Sequence, residues 1–469
     1  MSHSSLGKRV GRKNARLAGA LIVLLGVGLW AWSQGLNGPY HFDDYITPLD
    51  DPASQSLSAW QHHLTHTLRP LTKLTYALEA ETAVADTPVA RRVVSIVLHG
   101  VSAGLLLIVI GRLAPGTTRY GAACLATVWF LHPVHADALL LASGRSAVVS
   151  NLFVIAALLA LERSRLWTAT LLFALARLAR ETAIAALLPL GVLVAARHPG
   201  QWRRCVQELM PLAATAALAL VWMMATPRYQ QLAAYSLLGR PFAASAISQI
   251  GAIPVGLRLL FQPAALSIDY GIALPVNVTD TLFLVGLGLY ASAAAGVVFF
   301  LHRSRAVAVG LALWLAALLP TQSVVPKIDA LANRPLGLAL VGLLFAVAPL
   351  VEMALRASAK ESAEPDGDRA QPGWRALPAT CALVIVVASL AVATASRAAL
   401  FQSDLRLWED AAAKSRVNER PYVQYAVLLK EDGRNQEALA ALSTAARINP
   451  FNPQVAAMSR VIRLHEVTP

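Results

Sequence analysis

Eleven apolar runs, separated by short polar stretches, constrain this chain more than any other feature. They lie near residues 16–32, 93–111, 119–131, 147–161, 165–177, 182–196, 209–225, 280–301, 305–319, 335–355 and 376–395. A helix that crosses a bilayer needs roughly 20 mostly apolar residues, because lipid offers its backbone no hydrogen-bond partner and its side chains must match the hydrocarbon core. Most of the runs approach that length, although the third to sixth are short. Composition agrees: 56% of the 469 residues are hydrophobic, 14% are charged, and the mean hydropathy is +0.53. These values exclude an ordinary soluble domain and predict an all-α, polytopic membrane helix bundle of about eleven transmembrane helices. Cys124, Cys205 and Cys381 all fall in or beside apolar runs, so no disulfide framework is expected.

The net charge of +13 is a matter of topology. Lys8, Arg9, Arg12, Lys13 and Arg16 precede the first run. The stretches "GRLAPGTTR", "ERSR", "RHPGQWRR" and "HRSR" are short and basic, and the segment 356–375 carries Arg356, Lys360, Arg369 and Arg375. The positive-inside rule assigns all of these to the cytoplasm, so they do not signal nucleic acid. No small-residue cleavage site precedes Phe42, so the first run reads as an anchor and not as a removed signal peptide. The opposite face receives 33–90, 132–146, a turn at 177–181, 226–279, 320–334 and everything after 396. These are the long loops, rich in His, Asp, Arg, Trp and Tyr. The expected setting is a bacterial inner membrane, with a cytoplasmic N-terminus and the working face and C-terminus in the periplasm.

Two domains follow: a membrane domain over 1–396 and a polar tail over 397–469. The tail repeats with a shift of 34 residues, which sets Trp408 on Leu442, Ala411 on Ala445 and Asn418 on Asn452. That period, with small residues at helix-packing positions, indicates tetratricopeptide helix pairs, broken apart at Gly433. About one and a half units are present, fewer than a free-standing solenoid needs. The tail must therefore lean on the membrane domain or its loops.

The polar constellations gather on the face of the long loops. "HFDDYITPLDDP" places Asp43 and Asp44 just outside the first helix, and "TLRPLTKLTY" adds Arg69 and Lys73. "LHPVHADALLLASGR" supplies His132, His135, Asp137 and Arg145, and "ARETA" supplies Arg180 and Glu181. Asp269 and Tyr270 follow in "FQPAALSIDYG"; Lys327, Asp329 and Arg334 lie before the tenth helix. Arginines at helix ends often only snorkel to headgroups, but ionisable groups collected at one face point to function. Carboxylates facing several arginines at a bilayer edge suit glycosyl transfer from a lipid phosphate. One carboxylate deprotonates an acceptor hydroxyl, and planar guanidinium forks hold the leaving phosphate. His132 and His135 with Asp137 lack a third firm ligand for a metal, so no metal and no cofactor is assigned.

The order of these motifs resembles the transmembrane and tetratricopeptide-repeat O-mannosyltransferases and their bacterial relatives, within the GT-C glycosyltransferase superfamily. The resemblance rests on FDD, RPLT, HPVH with Asp and Gly-Arg, a basic-Glu-Thr turn, Asp-Tyr, Leu-Leu-Pro with Asn-Arg, and the helical tail, and it spans nearly the whole chain. It implies a polyprenyl-phosphate-linked sugar donor and inverting transfer to a Ser or Thr hydroxyl of a protein acceptor, without a required metal. Asp43 or Asp44 would be the base, and Arg334 and Arg180, with Arg69, would face the donor phosphate. His132, His135, Asp137, Arg145, Glu181, Asp269 and Tyr270 would line the site. The chain departs from its relatives at Asp137, where a glutamate is usual, and at Arg180-Glu181, where Lys-Glu is usual. A transferase using a diphosphate-linked oligosaccharide, and a non-catalytic scaffold built on the tail, are the competing expectations.

Overall fold

The computed structural model describes residues 3–82, 87–239, 242–318, 331–361 and 377–467. Lys327 and Asp329, most of the 320–334 loop, and Arg369 and Arg375 lie outside the described residues, as do the side chains of the five N-terminal cations, Lys360 and Cys381. The chain is 81% helical, with no strand among the described residues. The helices are α1 His3–Ser33, α2 Leu57–His63, α3 Pro70–Ala80, α4 Pro88–Leu113, α5 Arg119–Leu131, α6 Ala136–Leu139 and α7 Arg145–Glu162. They continue with α8 Leu166–Ala179, α9 Leu187–Arg197, α10 Trp202–Ala225, α11 Pro227–Gly239, α12 Phe242–Phe261, α13 Thr281–Phe300 and α14 Arg305–Leu318. After α15 Asn333–Glu361 and α16 Leu377–Ala399 come the four tail helices, α17 Asp404–Lys414, α18 Arg420–Glu431, α19 Asn435–Ile448 and α20 Pro453–Val467.

Among the described residues, seven stretches are long and apolar enough to cross a membrane: Pro88–Leu113, Ala142–Glu162, Trp202–Ala225, Phe242–Phe261, Thr281–Phe300, Asn333–Ala357 and Val384–Gln402. Three apolar helices are shorter, Ala18–Ser33, Leu166–Ala179 and Arg305–Leu318. The chain thus has the character of a multi-pass membrane protein, with seven full-length spans among the described residues. The runs at 119–131 and 182–196 fold as helices of only 13 and 11 residues, the second entered through the 3-10 turn Glu181–Ala186. At 1.5 Å per residue, 11 helical residues reach only about 17 Å.

One full-length helix falls where the sequence predicts an extracytoplasmic loop. Ser245, Ser248, Gln249 and Arg258 interrupt the apolar run of α12 and mask it, yet the first three are buried in the bundle. The Ser248 hydroxyl donates to Ala244 O at 2.9 Å and to Pro275 O at 3.1 Å, the kind of internal partner that makes a polar residue tolerable at such depth. Arg228, just after α10, pairs with Asp51, and Leu260 at the far end of α12 meets His132. The α11–α12 pair therefore leaves and returns to the same end of the bundle.

Small residues set the tightest crossing. A Cβ on Gly342 of α15 would lie 2.5 Å from the carbonyl oxygen of Gly310 in α14 and 2.6 Å from the Trp314 nitrogen, so the two backbones touch where only glycine fits. In the tail, α18 and α19 enclose their own core of Val423, Ala426, Leu429, Ala438, Leu442 and Ala445. Gly433, with φ of +77°, makes the left-handed turn between them. Arg416 N–H donates to Gly271 O at 3.0 Å and Lys414 Nζ donates to Leu266 O at 2.8 Å, so the tail sits directly on the loop after α12.

Candidate functional site

The acidic turn after α1 is held in a strained shape. Phe42 has φ of +42°, and Arg69, at the start of α3, has φ of +55°. A left-handed conformation costs a non-glycine residue about 1–3 kcal/mol, and such strain clusters at functional positions. The turn is pinned from below by Arg92 of α4, which donates to the carbonyls of Leu140 (2.8 Å), Gly35 (3.3 Å), Leu36 (2.8 Å), Gly38 (2.6 Å) and Pro39. It is pinned from the tail by His41, whose Nδ1 meets Asp404 Oδ1 at 2.6 Å and whose Nε2 meets Phe401 O at 2.8 Å. Both partners are acceptors, so both bonds form together only when the ring carries two protons.

The two aspartates have separate fates. Asp44 is fully buried; its Oδ2 accepts from His41 N–H at 3.2 Å and its Oδ1 from Ser143 N–H at 2.8 Å. Asp43 is half-buried and has no hydrogen bond or ion pair with any described residue. Asp44 thus builds the turn, and Asp43 is the carboxylate with no partner among the described residues.

Ser143 also joins the acidic turn to the arginines, because its hydroxyl accepts from Arg334 Nη2 at 3.4 Å. Arg334 and Arg180 share a small cleft of about 30 Å³, with Ser150, Asn151 and Thr182 as the other polar walls. Arg180 is buried and donates only to neutral hydroxyls, Ser146 Oγ and Thr182 Oγ1, each at 3.1 Å. Burial, reinforced by Arg69 and Arg334, pulls its pKa down to about 9 against the support of Glu181. Neither Arg180 nor Arg334 has a carboxylate partner among the described residues. A buried guanidinium in that position gains most from an incoming anion. Arg69 is placed differently. It clasps Glu181 through both prongs, Nε to Oε2 at 2.8 Å and Nη2 to Oε1 at 2.6 Å. Burial works against the Arg69 charge, but Glu181 more than restores it and raises the group above its ordinary range. Glu181 therefore engages Arg69, and it lines a separate small pocket with Arg177 and Tyr229.

The remaining expected site residues are each engaged by neighbouring groups. His132 accepts from Val134 N–H at Nδ1 and meets Leu260 O at 2.9 Å through Nε2, so both its ring nitrogens are used; burial pushes its pKa down to about 4. His135 packs between His99 and Trp129, with ring centroids at 4.4 and 4.8 Å. Arg145 is fully buried, ion-paired to Glu79 at 2.6 Å and stacked over Tyr76 at 4.6 Å. Asp137 accepts from Asn333 Nδ2 at 2.7 Å and from Arg397 Nη2 at 3.4 Å. Asp269 accepts from Arg420 Nε at 2.6 Å and Asn418 Nδ2 at 3.1 Å, and the Tyr270 hydroxyl donates to Asn333 Oδ1. Asp137, Asp269 and Tyr270 thus form the joint between bundle and tail.

Ser143, Arg92, His41 and Arg397 escape sequence reasoning. A serine in "LLLASGR" carries no signal of its own. Arg91-Arg92 does: two arginines at that end of a span run against the charge bias of the other loops, and a misplaced charge usually has a partner. Lys73 and Arg228 both pair with Asp51, the last aspartate of "PLDDP", and brace the same loop. Compared with protein-family models and with curated proteins, the chain matches none.

Proposed function

We propose that this chain is an integral-membrane glycosyltransferase of the GT-C type. It takes a monosaccharide from a polyprenyl phosphate and passes it to a hydroxyl, that of a Ser or Thr in a periplasmic or surface protein. Asp43 accepts the proton of that hydroxyl as the oxygen attacks the anomeric carbon. The bond from that carbon to the phosphate oxygen breaks with inversion, and Arg334 and Arg180 hold the departing lipid phosphate. The setting is a bacterial inner membrane with the cleft on the periplasmic side. The tail's helix pairs, read as a short tetratricopeptide array, guide the acceptor.

The observation that carries this reading is the double use of Ser143. Its N–H holds Asp44 and its hydroxyl meets Arg334, so the turn that carries Asp43, a carboxylate with no partner among the described residues, is linked to one of two arginines that have no carboxylate partner among them. The test supplies a labelled polyprenyl-phosphate sugar to membranes holding wild type, Asp43→Asn or Arg334→Ala at equal abundance. Loss of a general base costs about 10²–10⁴-fold in rate, so Asp43→Asn membranes should transfer almost no label to protein. Transfer at the wild-type rate would remove Asp43 as the base. Label moved only from a diphosphate-linked oligosaccharide would shift the reading to that donor class. A non-catalytic scaffold draws support from the number of acidic groups spent on docking the tail. It requires that no donor is consumed at all.

A further inference from the structure

A second, roomier pocket lies at the other end of the bundle from the Arg180–Arg334 cleft. It has a volume of about 450 Å³, between the end of α4, the α13–α14 turn and the later turns of α15. This is the end that the charge pattern assigns to the cytoplasm. Arg303, Arg305 and Arg356 line it together with His302, against one lining carboxylate, Glu352. Glu352 is already engaged: it accepts Thr118 N–H at 2.8 Å and Arg356 Nε at 2.9 Å. Arg305 pairs with Glu162 at 3.2 Å. Arg303 is the surplus cation. Its Nη1 donates to Phe299 O, in the last turn of α13, at 2.7 Å, its Cζ lies 4.0 Å from the centre of the Phe299 ring, and it has no carboxylate partner among the described residues.

Beside this basic rim the surface is apolar and open. Met353 lines the pocket, and it is more than half exposed, as are Leu350, next to the lining Pro349, and Val298 and Phe299, just before the lining Leu301. Cations beside bare hydrocarbon reproduce the layering of a phospholipid at its headgroup boundary. A soluble phosphate ester would have no use for the apolar part.

We infer that this pocket seats an anionic phospholipid, with its phosphodiester on Arg303 and Arg356 and its acyl chains along Val298, Phe299, Leu350 and Met353. Bound there, the lipid bridges the α13–α14 turn to α15 and to the loop after α4. The Arg356 Nη2 bond to Gly116 O at 2.6 Å already ties the last two together. This inference does not depend on the transferase reading.

The full chain, purified in a neutral detergent, is titrated by native mass spectrometry with phosphatidylglycerol and with phosphatidylcholine of the same acyl chains. One arginine near a lipid surface is worth about fivefold in binding. Wild type should therefore retain phosphatidylglycerol at least about fivefold better. Arg303→Gln should lose most of that preference and bind phosphatidylcholine as before, and Arg303→Lys should keep it. Equal retention of the two lipids by wild type would overturn the proposal whatever the variants do. So would wild-type preference in Arg303→Gln, or displacement of phosphatidylglycerol by an equal concentration of glycerol phosphate.

Discussion

Replacing the carboxylate of Asp44 by an amide is the sharpest test of how the acidic turn is built. Asp44 receives two backbone N–H groups, from His41 at 3.2 Å and Ser143 at 2.8 Å, with no exposed surface. Asparagine can accept at one oxygen only and must point its own NH₂ at the second donor. A buried donor left without a partner costs about 1–3 kcal/mol, and the surviving bond falls from charge-assisted to neutral, about 1 kcal/mol more. Asp44→Asn should therefore lower stability by about 2–4 kcal/mol. Asp43→Asn removes no bond and should change it by less than about 0.5 kcal/mol. The assay is thermal unfolding of both purified variants in one detergent. A chain of this size does not unfold in two states, so the comparison is of apparent midpoints. A drop of several degrees for Asp44→Asn beside an unmoved Asp43→Asn is expected. Equal midpoints, or a larger drop for Asp43→Asn, would refute the division of labour and with it the choice of Asp43 as the open carboxylate.

Other perturbations follow from the same contacts. Gly342→Ala places a methyl 2.5 Å from Gly310 O, and overpacking at such a crossing costs about 1–3 kcal/mol, measurable as a lower unfolding midpoint. Asp269→Asn weakens the clasp on Arg420 and Asn418, and faster hydrogen exchange in 404–448 with unchanged exchange in α7 is the expected readout. Burial pushes the Glu419 carboxyl up, but the amides of Asn449 and Asn452 at 2.8 and 3.1 Å outweigh it and hold the group below its ordinary range. A depressed carboxylate contributes stability that is complete above the unfolded pKa and is lost as pH falls through the folded one. Protection of 449–455 from hydrogen exchange, taken relative to the intrinsic rate at each pH, should therefore fall on acidification, and Glu419→Gln should remove that pH dependence.

Legibility in the sequence followed the range of the contacts. Two of the tail's three periodic pairs are core: Trp408 and Leu442, and Ala411 and Ala445, are buried, whereas Asn418 and Asn452 are half-buried. The α12 helix was illegible because Ser245, Ser248 and Gln249 look like loop residues until Pro275 and the bundle cover them. Arg145 looks like a site residue by type, yet its partners Glu79, Thr75 and Arg91 lie more than 50 residues away, and nothing local announces them. Asp43 and Asp44 are identical in type and adjacent. Only the backbone N–H of Ser143, 99 residues on, separates the structural acid from the open one.

The docking of the tail explains why so many candidate residues turned out to be joints. Asp137 meets Arg397, Arg397 meets Asp410 at 3.1 Å, Asp410 meets Lys414, and Lys414 reaches the backbone of the loop after α12. Buried ionic chains of this kind add little net stability over apolar packing, but breaking one member is costly, so they fix register more than they add strength. Here the register matters, because His41 ties the same tail to the residue next to Phe42, and the Phe42 ring rests edge-on against Trp408 at 5.9 Å. A shift of the tail would release the left-handed turn and change where Asp43 points. On this reasoning the tail is part of the cleft's geometry. A chain cut after Ala399 should lose the strained turn even if its membrane helices still assemble.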